Sequence, residues 1–156
     1  MLLLGVACGI VGAMAREAKR QRGVASVLRA AGASVWTADS KWLPEVIDTR
    51  YASRIRRIET YGTQFDGKGL TSLQPLLEFE NLRELYFYNE PITDISPLAE
   101  LQNLEHIFLR CPRVTDVSPL GGLKNLKTLQ LHPDRQFGND QIEELRHALP
   151  KCEVLY

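Results

Sequence analysis

Residues 91–98 read Pro91-Ile92-Thr93-Asp94-Ile95-Ser96-Pro97-Leu98, and residues 113–120 read Arg113-Val114-Thr115-Asp116-Val117-Ser118-Pro119-Leu120, the same pattern 22 positions later. Working outward, the spacing persists: Asn81, Asn103 and Asn125 superpose, as do Leu82, Leu104 and Leu126; Leu85, Ile107 and Leu129; and Phe87, Leu109 and Leu131. An L-x-x-L-x-L pattern therefore occurs three times in register, and Leu101 and Leu123 complete the return between copies. A unit this short cannot bury its own leucines. Stacked copies can, because strands about 4.8 Å apart line up their apolar positions into one continuous core. Ser96 and Ser118 stand directly before Pro97 and Pro119, a pairing that suits an N-cap followed by proline at the first helical position.

The flanks extend and close the array. A longer unit runs from Ile55 to Glu80, with Ile55 and Ile58 in strand positions and Leu73, Pro75, Leu76 and Phe79 in the places of Ile95, Pro97, Leu98 and Leu101; its extra residues fall around Gly67, Lys68 and Gly69. Gln141 to Leu149 reads as a short helix with Ile142, Leu145 and Leu149 on one face, Pro150 stops it, and Cys152 to Tyr156 supplies a closing strand with Cys152 buried in it. At the other end Val24, Val27, Leu28 and Ala31 recur at helical spacing before Gly32. Ala33 to Trp36 reads as a strand, and Ser40 caps a second helix carrying Trp42, Leu43, Val46 and Ile47. The expected organisation is an apolar segment over 1–15, a basic helix and N-terminal cap over 16–54, and a repeat domain over 55–156.

These residues carry the signature of the leucine-rich repeat, and the T-D-I-S-P-L form at a spacing of 22 resembles the repeats of internalin-like bacterial proteins. The apolar start with a basic helix behind it, Gly62-Thr63-Gln64-Phe65 with Gly69-Leu70, and the terminal Ala148-Leu149-Pro150-Lys151-Cys152 are similar to short, membrane-anchored leucine-rich repeat proteins of planctomycete bacteria. The resemblance implies an α/β fold: a leucine-rich repeat solenoid with a curved parallel sheet of about six strands, helical or irregular segments on its convex side, and an N-terminal helical cap. One position departs from the family pattern. The ninth residue of each repeat, usually Asn, is Thr63, Glu90, Pro112 and Asp134, so a continuous asparagine ladder at that position is absent and the turns must find other hydrogen-bond partners.

Composition narrows the function. Nineteen Lys and Arg balance nineteen Asp and Glu, which is unlike a simple polyelectrolyte binder of nucleic acid. The balance conceals an asymmetry, since residues 1–58 hold ten basic side chains against four acidic ones, and the rest of the chain carries the opposite excess. The three cysteines, Cys8, Cys111 and Cys152, form no C-x-x-C pair, so neither a disulfide framework nor a structural zinc site is expected. Leu2 to Ala15 is uncharged and ends at Arg16, with Lys19, Arg20 and Arg22 close behind. Three readings compete for this segment: a membrane anchor continued by residues upstream, a signal peptide cut near Ala13-Met14-Ala15, and a helix packed on the domain. The order of apolar then basic residues favours the anchor, with membrane association through residues 1–22 and the repeat on the cytoplasmic side.

Between the leucines of each strand, alternate residues face away from the core, and those positions define the candidate site. One column holds Arg57, Glu84, His106 and Thr128; the next Glu59, Tyr86, Phe108 and Gln130; the third Tyr61, Tyr88, Arg110 and His132. Four aromatic rings and Arg110 on neighbouring strands, none needed for the core, match the residue types that dominate protein interfaces. The expected function is non-enzymatic binding of a protein partner on the concave face. Two alternatives stand beside it: tyrosines also suit exposed strands in general, and the chain could be a structural envelope protein with no specific ligand. No cofactor, metal or nucleic acid is expected. Cys111 lies in a turn while His106 and His132 occupy different columns, which leaves Cys–His catalysis without an oriented base.

Overall fold

The computed structural model describes residues 34–37, 55–61, 69–132 and 137–156, the first of these as backbone. The apolar segment 1–15, the basic helix and cap helices expected within 16–54, and most of the insertion before Gly69 lie outside the described residues.

The described strands form one six-stranded sheet in sequence order. They are β1 (Ser34–Thr37), β2 (Ile55–Thr60), β3 (Glu84–Tyr88), β4 (His106–Arg110), β5 (Thr128–Leu131) and β6 (Glu153–Leu155). From β2 to β6 every pairing is parallel. The sheet is not parallel throughout, however, because β1 runs antiparallel to β2. Ser34-Val35-Trp36-Thr37 has no counterpart at the repeat spacing, so nothing in the repeat dictates its direction. Elsewhere the repeat spacing becomes strand register: Leu85 pairs with Ile107, Ile107 with Leu129, and Leu129 with Val154. The inward columns are buried over their whole length, with Ile58, Leu85, Phe87 and Leu129 at 0% exposure.

The returns between strands are 3₁₀ turns, Gln74–Glu78, Ser96–Glu100 and Ser118–Gly122, with proline in the first turn of each. Their apolar residues recur every third position: Ile92, Ile95, Leu98, Leu101 and Leu104 are all buried. A period of three matches the three residues per turn of a 3₁₀ helix. The backbone shows the same rhythm, with Leu98 N–H donating to Ile95 C=O, Leu101 to Leu98 and Leu104 to Leu101, each at 3.0 Å. The following repeat copies this chain through Val117, Leu120, Leu123 and Leu126.

One local role differs from the sequence expectation. The serines do not cap the turns; Ile95 and Val117 occupy the cap positions without side-chain bonds, and Ser96 and Ser118 are already inside. The capping acceptors are the preceding aspartates. Asp94 Oδ1 accepts from Ser96 N–H at 2.8 Å, and Asp116 Oδ1 accepts from Ser118 N–H at 2.9 Å. A carboxylate reaching the N–H two residues on forms an Asx turn. These bonds hold both aspartates below their ordinary pKa.

At the ninth position the turn finds another hydrogen-bond partner, as the absence of asparagine there requires. Asn89 adopts a left-handed conformation at φ 56°, which asparagine tolerates better than most residues. The chain then carries Glu90 inward to 0% exposure, where its Oε2 accepts from the Leu70 N–H at 2.5 Å. Glu90 thus supplies a buried backbone donor with an acceptor at a position that carries no asparagine. Asparagines do form a ladder, one residue before each strand pattern: Asn103 Nδ2 donates to Glu80 C=O at 2.8 Å and Asn125 Nδ2 to Gln102 C=O at 2.9 Å.

The C-terminal helix spans Asn139–Ala148, starting two residues earlier than the periodicity indicates, and buries Ile142 and Leu145. It closes on the last 3₁₀ turn at a glycine. A Cβ built on Gly121 would lie 3.3 Å from Ala148 Cβ. Cys152 precedes β6 and is only half-buried, so it is not the core residue expected of a closing strand.

Replacing Glu90 with Ala should cost about 1–3 kcal/mol, because the buried Leu70 N–H loses its acceptor; Glu90→Gln, which keeps an acceptor oxygen, should cost less. Urea unfolding of both variants checks the order. Because Asp94 and Asp116 are depressed in the fold, their contribution is present above the ordinary aspartate pKa of about 3.9 and is lost as pH falls below it. The paired Asp94→Asn, Asp116→Asn variant should therefore show a shallower loss of unfolding midpoint between neutral and acid pH than the parent chain.

Candidate functional site

The strand register assembles the columns expected from sequence. Arg57 pairs with Glu84, Glu84 with His106, and His106 with Thr128; Glu59 pairs with Tyr86, Tyr86 with Phe108, and Phe108 with Gln130. Tyr88 pairs with Arg110 in the third column. Tyr61 and His132 lie just past the ends of β2 and β5, and His132 N–H donates to Leu109 C=O at 3.1 Å. The face continues further than the sequence reading took it. Glu153 pairs with Thr128 and Leu155 with Gln130, and Leu155 is 42% exposed. At the other edge Trp36 registers with Arg57 and Ser34 with Glu59. The β6 extension was readable as the alternation of Glu153, Val154 and Leu155; the antiparallel β1 pairing left no such signal.

On the β2–β4 half of the face the side chains interlock. Arg57 is ion-paired to Glu59, lies 3.5 Å from Glu84, and stacks its guanidinium 4.3 Å from the centre of the Tyr86 ring. The hydroxyl of Tyr61 donates to Glu59 Oε2 at 2.9 Å, and that of Tyr86 to Glu84 Oε2 at 3.2 Å. Burial opposes the charge on Arg57, yet the Glu59 hydrogen bond and charge, with Tyr86 and Glu84, outweigh it and raise the Arg57 pKa. Tyr61 is raised chiefly by its hydrogen bond to Glu59, since losing the proton would break that bond and set two negative charges together. Tyr86 is raised first by burial and then by the charge of Glu84.

The aromatic rings form a row across the strands. Tyr61 and Tyr88 stack with centroids 5.0 Å apart and planes 5° from parallel, and Tyr88 and Phe108 follow at 4.8 Å and 33°. These separations match the strand spacing of about 4.8 Å, as expected of rings carried on neighbouring strands. His106, Arg110, Gln130 and His132 line the remainder of the face. A cavity of about 80 Å³ opens at the end of the third column, between Asn89, Arg110, His132 and Phe137.

Among the described residues, no group of three or more His, Cys, Asp and Glu is placed to hold a metal ion. Cys111 borders the cavity, but burial pushes its thiol up to about 12, far from the lowered values of nucleophilic cysteines. Glu105 takes another role, bridging Arg83 and Lys127 from the repeats before and after it on the side where the chain enters the strands.

The chain is similar in structure to an internalin of Listeria monocytogenes, with a TM-score of 0.53 and 19% identity, over 86% of this chain and 41% of the internalin. The fold is that of a leucine-rich repeat. Two further bacterial structures are similar: internalin C2 of Listeria monocytogenes, with a TM-score of 0.49, 22% identity, 85% of this chain and 62% of its own; and a leucine-rich repeat protein of Leptospira interrogans, with a TM-score of 0.46, 26% identity, 53% of this chain and 21% of its own. The leucine-rich repeat described here thus spans less than two thirds of the length of each of these proteins. No protein-family model and no curated protein matches the sequence. Among the described residues, no helix is long and apolar enough to cross a membrane.

Alkaline titration of tyrosinate absorbance should show a fraction of the tyrosines ionising above the ordinary value of about 10. Glu59→Gln should move part of that fraction down, because it removes the charge facing Tyr61. An unchanged titration would mean that the hydrogen bond between Tyr61 and Glu59 does not form in solution.

Proposed function

We propose that this leucine-rich repeat is a non-enzymatic protein-binding module that docks a partner on the sheet face opposite the 3₁₀ turns. The observation that carries the proposal is the aromatic row of Tyr61, Tyr88 and Phe108 with Tyr86 beside it. All four rings are partly exposed, while the buried columns of Ile58, Leu85, Ile107 and Leu129 form the core on the other side. The core does not need these rings. Glu59 and Glu84 hold the hydroxyls of Tyr61 and Tyr86, and Tyr61 stacks on Tyr88, so these three rings keep little side-chain freedom to lose on docking. Internalin-like structures support the same class of function by analogy of fold.

The partner-facing set is Arg57, Glu59, Tyr61, Glu84, Tyr86, Tyr88, His106, Phe108, Arg110, Gln130 and His132. The module binds no cofactor and acts on protein rather than nucleic acid. We also propose that residues 1–22 associate with a membrane and leave the repeat on the cytoplasmic side, as in the short membrane-anchored repeat proteins that the sequence resembles. The support is the uncharged run Leu2 to Ala15 with Arg16, Lys19, Arg20 and Arg22 directly after it.

Tyr86→Ala, Tyr88→Ala and Phe108→Ala together should leave cooperative unfolding intact and abolish capture of partners crosslinked to the full chain in cells; undiminished capture would end the sheet-face proposal. Fractionation followed by protease treatment tests the placement. The repeat should sediment with membranes and resist protease until they are permeabilised, whereas digestion in intact preparations would indicate export.

A further inference from the structure

Resting on the sheet-face reading, we infer that the partner seats on the first two outward columns between β4 and β6, and that it is a basic protein segment. It presents a Lys or Arg to Glu153 and a large apolar side chain to the surface between Phe108 and Leu155.

Prior engagement of the side chains sets the place. From β2 to β3, Arg57 is ion-paired to Glu59 and lies close to Glu84, and the hydroxyls of Tyr61 and Tyr86 hold the same two carboxylates. In the third column Arg110 and His132 each have a partner already. Toward β6 this changes. The first column ends in His106, Thr128 and Glu153, and the second in Phe108, Gln130 and Leu155. Among the described residues, the side chains of His106, Thr128, Gln130 and Glu153 make no hydrogen bond or ion pair. A partner that reaches them breaks no internal contact, and avoiding that cost leaves more of its contact energy as affinity.

Exposure sets the apolar half of the partner. Only two large apolar residues are exposed among the described residues, Leu155 at 42% and Tyr156 at 57%. Arg146 already covers a face of the Tyr156 ring, 5.0 Å from its centre. Leu155 registers with Gln130, and Gln130 with Phe108, which is itself partly exposed. Two strand spacings, about 10 Å, separate Leu155 from Phe108, so one large side chain laid over Gln130 touches both.

Charge sets the other half. Of the carboxylates carried by the described outward columns, Glu59 and Glu84 share Arg57, whereas Glu153 has no ion pair among the described residues. The bases leave that carboxylate open. Lys127 is held by Glu105, and Lys151, exposed in the turn before β6, is not paired to Glu153. Arg110 belongs to the third column, four residues and about 13 Å along the strand direction from the first, beyond the roughly 8–10 Å over which exposed charges act in physiological salt. Glu153 and Leu155 are alternate residues of one strand, about 7 Å apart on the same side, a spacing that lets a Lys or Arg rest its aliphatic stem near Leu155 with its head at Glu153. Over residues 59–156 acidic side chains outnumber basic ones, which favours the approach of a cationic partner over an anionic one.

The test selects binders for the immobilised full chain from a displayed library of random nonapeptides. The expected enrichment is Lys or Arg together with a large apolar residue. A synthetic peptide of that composition should bind at least about tenfold more weakly to Glu153→Gln and to Leu155→Ser. It should bind unchanged to Glu144→Gln, which removes the same charge from the C-terminal helix, with circular dichroism showing that each variant is folded. Equal weakening by Glu144→Gln would trace the effect to the overall charge of the repeat and overturn the inference. Enriched peptides that are acidic, or indifferent to Glu153→Gln, yet are lost by the variant carrying alanine at Tyr86, Tyr88 and Phe108, would overturn it and leave the sheet-face reading standing. Peptides bound equally by that triple variant and by Leu155→Ser would overturn both. Enrichment seen only when Arg16, Lys19, Arg20 and Arg22 are changed to Gln would give the face to the chain's own basic segment and overturn the inference, as would no enrichment at all.

Discussion

Stacking of Leu85 on Ile107 and Ile107 on Leu129 is the contact from which the rest of the molecule is built. Each inward side chain is buried by its counterparts in the neighbouring repeats rather than by its own, so no single repeat has a complete core. The constraint sets the length of every return. Beyond the strand, the chain must come back in register after a fixed number of residues, and it does so with a 3₁₀ path whose inward residue recurs every third position. Asp94 and Asp116 start that path, and Pro97 and Pro119 favour its first turn.

The same stacking produces the candidate site. If inward residues align across strands, the residues between them align too, and a column of outward side chains is an unavoidable product of the fold. Which chemistry appears there is free to vary. In this chain the β2–β4 half carries an interlocked set of aromatic rings, carboxylates and one arginine, and the β4–β5 half carries a basic, partly open one. Within the face itself, Glu59 is only 8% exposed, lying beneath its neighbours, and it orients the more exposed Tyr61.

The repeats, their register and the three outward columns were legible in the sequence because period and burial are linked by simple geometry. Asp94 and Ser96 were harder to assign. Both residue types accept hydrogen bonds from nearby backbone, and only the observed start of the 3₁₀ turn shows that aspartate does so while serine already belongs to the turn. At Glu90 the sequence showed that the turn needs a partner other than asparagine, but not which backbone group the longer side chain reaches, which is Leu70 N–H. The direction of β1 had no periodic signature, since a strand outside the repeat carries no register information. The ring stack, the seat of Arg57 over Tyr86 and the cavity beside Arg110 depend on rotamers, and columns of letters do not specify rotamers.

Glu105, held between Arg83 and Lys127, joins three successive repeats through one side chain. Each of its two ion pairs spans one boundary between adjacent units, so a single carboxylate adds to the nearest-neighbour cohesion on both sides of the fourth strand. It penalises any state in which the fourth strand has come loose while the third and fifth remain in place. The array is thereby biased toward losing order from its ends, with the centre of the aromatic face among the last parts to open.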